Sequence, residues 1–338
     1  MRLLLPILVL LPLGALSLSP PSSRTAPPSG AKIVRVGTTT SGEFATLGAA
    51  VAALPSDSSS QTIFIYPGTY NEQVLIQRSG PVTLLGYTSN PGSYAANQVN
   101  LVASNAASSG LSDDETGTLR IHSNNVAIYN INIKNSFGVG SQAIALSNYG
   151  DKVGCYSCGL YGYQDTLLAE QDTQVYLQSY IEGATDFIFG QTAQAYFEGN
   201  TISMKANGYV TASGRDSNNS AICAYTRYVF NRNTIQLAPN PGSTSALYLG
   251  RPWRDYARVV FLNTYVTAPL NKALWSVWSS TAAQTDHVFF ADYNTTGPGI
   301  PTISRASFAT KLSASQAASY TLASTIGTTS WVDKSYLF

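Results

Sequence analysis

Asp165 and Asp186, together with Gln142 and Gln164, are the residues whose types and spacing could do chemistry. Gln164 follows Gln142 by 22 residues, and Asp186 follows Gln164 by 22. In a solenoid of parallel strands, residues one period apart stack about 4.8 Å apart. The interval therefore puts two amides and two carboxylates in one column on one face. Carboxylates held that close do not ionise independently. One pKa rises and the other falls, which separates an acid from a nucleophile or base. The surroundings, Tyr161, Tyr163, Phe187 and Phe189, are aromatic and sparsely charged. The competing reading of each Asp is a turn cap or an exposed carboxylate, the commoner fate of this residue.

Other chemistries are narrowed by counting. The chain has two histidines, His122 and His287, and a lone His in a β-protein is usually a packed or exposed side chain. A Ser-His-Asp esterase needs a G-x-S-x-G elbow, which does not occur. Histidine-rich zinc sites fail on the same count. Catalysis then has to run on carboxylates, amides and Arg, and neither a cofactor nor a metal is expected.

A solenoid must hold this column, and the chain carries the repeat for one. An eight-residue frame with apolar residues at positions one, three and eight fits Val126 to Ile133, Val153 to Leu160, Ala195 to Ile202, Tyr228 to Ile235 and Val259 to Val266. Val175 to Ile181 fits with one residue deleted. A period in the twenties with inserted loops means stacked coils, none of which buries its apolar side alone. Recurrence of the same pattern, rather than its mirror, favours parallel stacking over antiparallel meanders. The expected fold is all-β, a parallel β-helix with short capping helices. Phe44, Leu47, Val51 and Leu54 lie on one helical face that Pro55 ends, and Ser315 to Ser324 is helix-compatible and could close the other end.

Composition sets the outer limits. Charged residues are 11% of 338 and the formal net charge is +1, which argues against nucleic acid as a partner. An apolar share of 44% argues against disorder. Met1-Arg2, the apolar run Leu3 to Leu16 and the small-x-small site Ala15-Leu16-Ser17 predict a signal peptide over 1–17. The run is short for a membrane span. Residues 18–30 read as a flexible leader, and 31–338 as a single domain. Cys155, Cys158 and Cys223 are too few for a disulfide framework. They read as buried small side chains, with one local disulfide left open. Asn218 and Asn294 begin glycosylation sequons. Localisation is expected to be secreted and extracellular.

At the chemical residues the chain resembles the pectin methylesterases, or pectinesterases. The blocks occur in family order: Gly68-Thr-Tyr70-Asn-Glu72, Gln142-Ala-Ile-Ala-Leu146, Tyr163-Gln-Asp-Thr-Leu167, Asp186-Phe-Ile-Phe-Gly190 and Leu249-Gly-Arg-Pro-Trp253. Trp275-Ser-Val-Trp278 and the run Asp292 to Gly299 also look like the family. The resemblance implies a right-handed parallel β-helix acting on methylated homogalacturonan, and a monomer is the default expectation. It implies Asp186 as nucleophile, Asp165 as acid then base, Gln142 and Gln164 as oxyanion donors, and Arg251 as the partner of Asp186. It further implies aromatic sugar platforms at Trp253, Phe189 and Trp275, and a substrate-contacting Thr118, with Tyr163 and Phe187 as core or wall. Leu168 stands where many relatives have an aromatic, and Asp292 where Glu is frequent. A pectate lyase would need acidic calcium ligands, and the one tight cluster, Asp113-Asp114-Glu115, reads as a solvated loop. A polygalacturonase could use two carboxylates to cut the chain. A non-catalytic sugar-binding protein would be favoured by loss of Asp165, Asp186 or Arg251, and all three are present.

Overall fold

The computed structural model describes residues 19–216 and 227–338. The expected signal peptide, Asn218 and Cys223 lie outside them. Among the described residues the chain winds through three sheets of twelve, eight and seven strands. Neighbouring strands in each sheet come from successive coils and run parallel. The fold is a parallel β-helix, right-handed as parallel crossovers are.

The eight-residue frame maps onto one corner of this solenoid. Its third positions, Ile128, Cys155, Tyr176, Phe197, Phe230 and Phe261, pair in sequence down the twelve-stranded sheet. Its eighth positions, Ile133, Leu160, Ile181, Ile202, Ile235 and Val266, do the same down the eight-stranded sheet. The expected deletion at Val175 is corrected by the register. Val153 pairs with Gln174, and Gln174 with Ala195, so the coil starts at Gln174 and keeps full length. The sequence hides this because Gln174 is polar. The fold accommodates it by bonding: Gln174 Nε2 donates to Gln171 O at 2.8 Å, and Tyr176 Oη donates to Gln174 Oε1 at 2.7 Å.

Between the two sheets each coil turns at one residue with left-handed backbone. Asn130 (φ 55°), Ser157 (φ 48°), Gln178 (φ 50°) and Asn263 (φ 49°) are examples. The residue after each turn points inward, and several form a polar ladder. Ser179 N donates to Asn200 Oδ1, and Asn200 N to Asn233 Oδ1, both at 2.8 Å. Cys158 stands at the head of this ladder, its N–H on Ser179 Oγ at 3.0 Å, while Cys155 fills the frame's third column. Both are free and fully buried. Aromatic rings stack along that column, with 4.8 Å between Tyr176 and Phe197 and 4.3 Å between Phe197 and Phe230 and between Phe230 and Phe261. Each such pair contributes about 0.5–1.5 kcal/mol beyond its area.

An N-terminal helix covers the first coil, but it spans only Leu47–Ala52 rather than Phe44 to Leu54, because Phe44 belongs to the strand Glu43–Phe44 that pairs with Lys32–Val34. Glu72 holds its start, accepting from Leu47 N at 2.7 Å and Gly48 N at 2.9 Å, so the Gly68–Glu72 block is structural. Residues 19–30, expected to be a flexible leader, are mostly exposed but are anchored to the solenoid at Arg24. Arg24 and Thr88 exchange backbone hydrogen bonds of 2.9 and 3.0 Å, and the Arg24 guanidinium sits over Tyr129. The C-terminal helices, Ala314–Ala317 and Leu322–Ile326, do not close the far end. Ala317, Ile326, Val332 and Tyr336 pack on outward residues of the twelve-stranded sheet, among them Tyr156, Tyr196 and Val229. That sheet is apolar on both faces, and the tail is what covers the outer one. Among the described residues no helix is long and apolar enough to cross a membrane.

Candidate active site

The seven-stranded sheet positions the chemistry. Its strands Leu146–Asn148, Leu167–Ala169, Ile188–Gly190, Gly208–Ser213 and Leu247–Pro252 are consecutive. Residues alternate between core and outside along each. Leu167 and Ile188 face the core, while Leu168, Phe189, Ala212 and Arg251 form one outward row by register. That row is the floor of a cleft.

Asp165 and Asp186 lie at the bend entering two of these strands. Both have left-handed backbone, φ 63° and 53°, a conformation that Asp tolerates better than most residues. Each follows a glycine by three residues. A Cβ on Gly162 would come within 2.5 Å of Thr166 Oγ1, and one on Gly183 within 2.3 Å of Phe187 Cβ, so the bends close only over glycine. Leu167 pairs with Ile188, and Gln164 bridges Thr185, an offset of 21 that sets Asp165 opposite Asp186. The expected interval of 22 therefore needs correcting for Gln164 and Asp186, which are one residue out of register. For Gln142 and Gln164 it is right. Ala143 N donates to Gln164 O, and both Ala145 N and Leu146 N donate to Thr166 O at 2.8 and 3.2 Å. That shared acceptor marks a bulge, and the extra residue aligns the two glutamines.

The four side chains meet in a cavity of about 230 Å³ with Asp113, Phe189, Ala212, Arg251, Trp253 and Trp278. Arg251 grips Asp186 with both arms of its guanidinium, Nε to Oδ1 at 3.0 Å and Nη2 to Oδ2 at 2.6 Å. The guanidinium is itself fixed. It lies 4.2 Å from the Tyr209 ring and 4.1 Å from the Trp278 ring, and Nη1 donates to Trp278 O at 3.1 Å. Among the described residues Asp165 has no such ion pair.

The environments of the two carboxyls differ accordingly. Burial, helped by the charges of Asp186 and Asp113, pushes Asp165 well above the usual carboxylate range. Burial also raises Asp186, but the hydrogen bonds and charge of Arg251 pull against it. Burial works against the Arg251 charge too, yet its bonds to Asp186 outweigh that and hold the guanidinium above its ordinary value. Of the two, Asp165 is thus the carboxyl that burial and like charge push toward the protonated form, and Asp186 the one that Arg251 pulls toward the ionised form.

A profile of the pectinesterase family matches residues 33–329. The chain belongs to the pectinesterase family. It is 43% identical to a pectinesterase of Aspergillus aculeatus, covering 93% of this chain and 95% of that protein. It is 41% identical to one of Aspergillus niger, covering 94% and 95%. A crystal structure of the pectin methylesterase of A. niger matches with a TM-score of 0.84 at 35% identity, over 93% and 100% of the two chains. The carrot pectin methylesterase matches at 0.78 and 27%, over 93% and 97%. As a pectinesterase, the protein is a carboxylic ester hydrolase.

Not every residue expected at this pectinesterase site reaches it. Phe189 is on the cleft floor and Trp253 leans toward it, ring centroids 6.2 Å apart. Trp275 does not line the cleft. It is 1% exposed and stacks on Phe290 at 4.4 Å, because its bridge to Gly250 turns it into the core. Trp278, three residues on, takes the place at the cleft. Thr118 is fully buried, its hydroxyl donating to Lys134 O at 3.1 Å. Phe187 is core, and Tyr163 is half-buried and does not line the cleft. Asp113-Asp114-Glu115 is not a solvated loop but the start of a short helix, Asp113–Thr116, capped by Ser112. It brings Asp113 into the cleft and ties Asp114 to Arg120, Ser147 and His122. His287 stacks on Tyr256 outside the site. Among the described residues no group of three His, Cys, Asp or Glu is placed to hold a metal ion.

Proposed function

We propose that the protein hydrolyses the C6 methyl esters of galacturonate units in pectin through an acyl-enzyme on Asp186. The ionised Asp186 carboxylate attacks the ester carbonyl carbon. Gln142 and Gln164 donate hydrogen bonds to the oxyanion, each worth about 3 kcal/mol where such donors have been removed. The methoxy group leaves with the proton of Asp165, as methanol. Asp165, now a carboxylate, takes a proton from water, and that water opens the anhydride. The acid of galacturonate is released, Asp186 is a carboxylate again, and Asp165 holds its proton.

The observation that carries this reading is the asymmetry of the pair. One carboxyl is held by a guanidinium fork, as a nucleophile requires, and the other is buried with no ion-pair partner among the described residues, as a proton donor requires. Phe189 and Trp253 offer apolar faces to sugar rings, with Trp278 across from them. The fungal relatives and the apolar N-terminal run support secretion, and a monomer suffices because one chain supplies every group used. The test follows methanol release and chain length together on highly methylated pectin. Methanol with unchanged chain length supports the proposal, and chain cleavage without methanol would replace it with a glycosidase or lyase.

A further inference from the structure

The cleft floor is bordered by a second outward row. Two residues after Leu168, Phe189, Ala212 and Arg251, each one position past the end of its strand, come Glu170, Gln191, Gly214 and Trp253. Tyr149 takes the equivalent place one coil before Glu170, two residues after Ser147. Tyr149 and Trp253 both pack against the floor formed by Leu168 and Phe189. A Cβ on Gly214 would strike the Trp253 ring at 2.4 Å and meet Gln191 Cγ at 3.1 Å, and Gln191 is bonded to Glu170, so the row is continuous from Glu170 to Trp253, which lines the cleft. Its one carboxyl is Glu170, between two aromatic rings that border the sugar-binding floor.

Glu170 is rigidly placed. Its backbone N–H donates to Asn148 O at 3.0 Å and its carbonyl accepts from Thr192 N at 2.7 Å. Gln191 Nε2 donates to Glu170 Oε1 at 3.0 Å. No cation is paired with it in the described residues. Arg120 and His122, which lie near Tyr149, are engaged by Asp114. The ionisable groups that face it are the Asp113 carboxyl, from the short helix, and the phenols of Tyr149 and Tyr228. A galacturonan lying along the floor in a two-fold conformation turns successive C6 groups to opposite walls. In that arrangement a unit next to the one attacked by Asp186 would present its C6 group to the side that carries Glu170.

Resting on the esterase reading above, we propose that Glu170 is a specificity-determining residue that tells a methyl ester from a free carboxylate at a neighbouring unit. An unpaired carboxylate there repels a free galacturonate and leaves a methyl ester untouched. A protonated one donates a hydrogen bond to either. Burial, offset in part by Gln191 and reinforced by Asp113, pushes the Glu170 carboxyl up to about 7. The discrimination is then switched on as the pH rises through neutrality, whereas galacturonate itself is fully ionised well below that range.

Calorimetric binding of an unesterified galacturonate oligomer at constant ionic strength, at pH 5 and pH 8, tests this. Asp165 and Asp186 are replaced by Asn in every protein compared, so that the acid pair neither titrates nor turns over an ester. The protein that keeps Glu170 is expected to bind about tenfold more weakly at pH 8, the size of a like-charge contact near a protein surface. Glu170→Gln is expected to change less than twofold, and the methyl-esterified oligomer to show no pH step with or without Glu170. Gln191→Met, which removes the amide donor and keeps the carboxyl, moves the midpoint of the step to higher pH. The same step with and without Glu170, or a step in neither, would overturn the inference. Because the readout is binding, absence of methanol release would count against the esterase mechanism without altering this result.

Discussion

Replacing Arg251 by Lys should cripple turnover while leaving the fold in place. The guanidinium makes two hydrogen bonds to Asp186, at 3.0 and 2.6 Å, and lies between the rings of Tyr209 and Trp278. An ammonium keeps the charge but offers no fork and no flat face. Losing one charge-assisted hydrogen bond costs about 1.5–3 kcal/mol, and the stacking adds roughly 0.5–1 kcal/mol. If that energy orients the nucleophile, kcat falls roughly thirtyfold to a thousandfold at 1.36 kcal/mol per decade. The pH profile moves as well. Arg251 opposes the burial that raises Asp186, so weakening it lifts the ionisation of Asp186 and shifts the acidic limb of kcat to higher pH. The assay is methanol release at saturating methylated pectin across pH 4–9, with thermal unfolding in parallel. A folded Arg251→Lys variant with kcat within threefold of wild type and an unmoved acidic limb would refute the assignment of Arg251 as the residue that holds the nucleophile.

Three further outcomes follow from the site and its surroundings. Trp275→Ala should lower stability by about 3–5 kcal/mol, as for other buried aromatics, whereas Trp278→Ala should mainly reduce kcat by freeing Arg251; equal losses of stability in the two would contradict their different placements. Thr118→Val should cost about 1 kcal/mol of stability through the lost hydrogen bond to Lys134 O and leave KM for pectin unchanged, so a raised KM in a stable variant would restore Thr118 to the substrate. Glu170→Gln should be more stable than wild type at pH 8 and equal to it at pH 4. The native carboxyl holds its proton up to about 7 while the unfolded one releases it near 4.3. Wild type therefore loses stability as the pH rises through that window, by up to about 3–4 kcal/mol, and matching thermal unfolding curves at pH 8 would contradict the raised ionisation.

Much of this was legible because a solenoid writes its packing into the chain as a repeat. The frame that recurs from Val126 to Val266 marks inward positions of two adjacent sheets, and a period of about 21 brings Asp165 and Asp186 together. What periodicity cannot carry is a local exception to it. The bulge at Ala145–Leu146 and the left-handed bends at Asp165 and Asp186 decide which of Gln164 and Asp165 lies opposite Asp186, and neither changes the apolar pattern. Gln174 hides a full-length coil because a satisfied amide replaces a hydrocarbon. Trp275 and Trp278 were separable only by a backbone bridge to Gly250. Asp113 was overlooked because three acidic residues in a row suggest solvent, although Ser112 and Glu115 form a capping box that fits a helix start and could have signalled order. The C-terminal segment has helical composition at either destination, and only the apolar outer face of the twelve-stranded sheet explains where it lies.

The most direct test of the account is methanol release by Asp186→Asn, measured beside wild type on the same highly methylated pectin with folding checked by thermal unfolding. Asparagine keeps the shape and removes the nucleophilic charge, so the account predicts loss of at least about 10⁴-fold in kcat, as when a nucleophile is removed from other hydrolases. A folded Asp186→Asn protein that releases methanol within tenfold of the wild-type rate would contradict it.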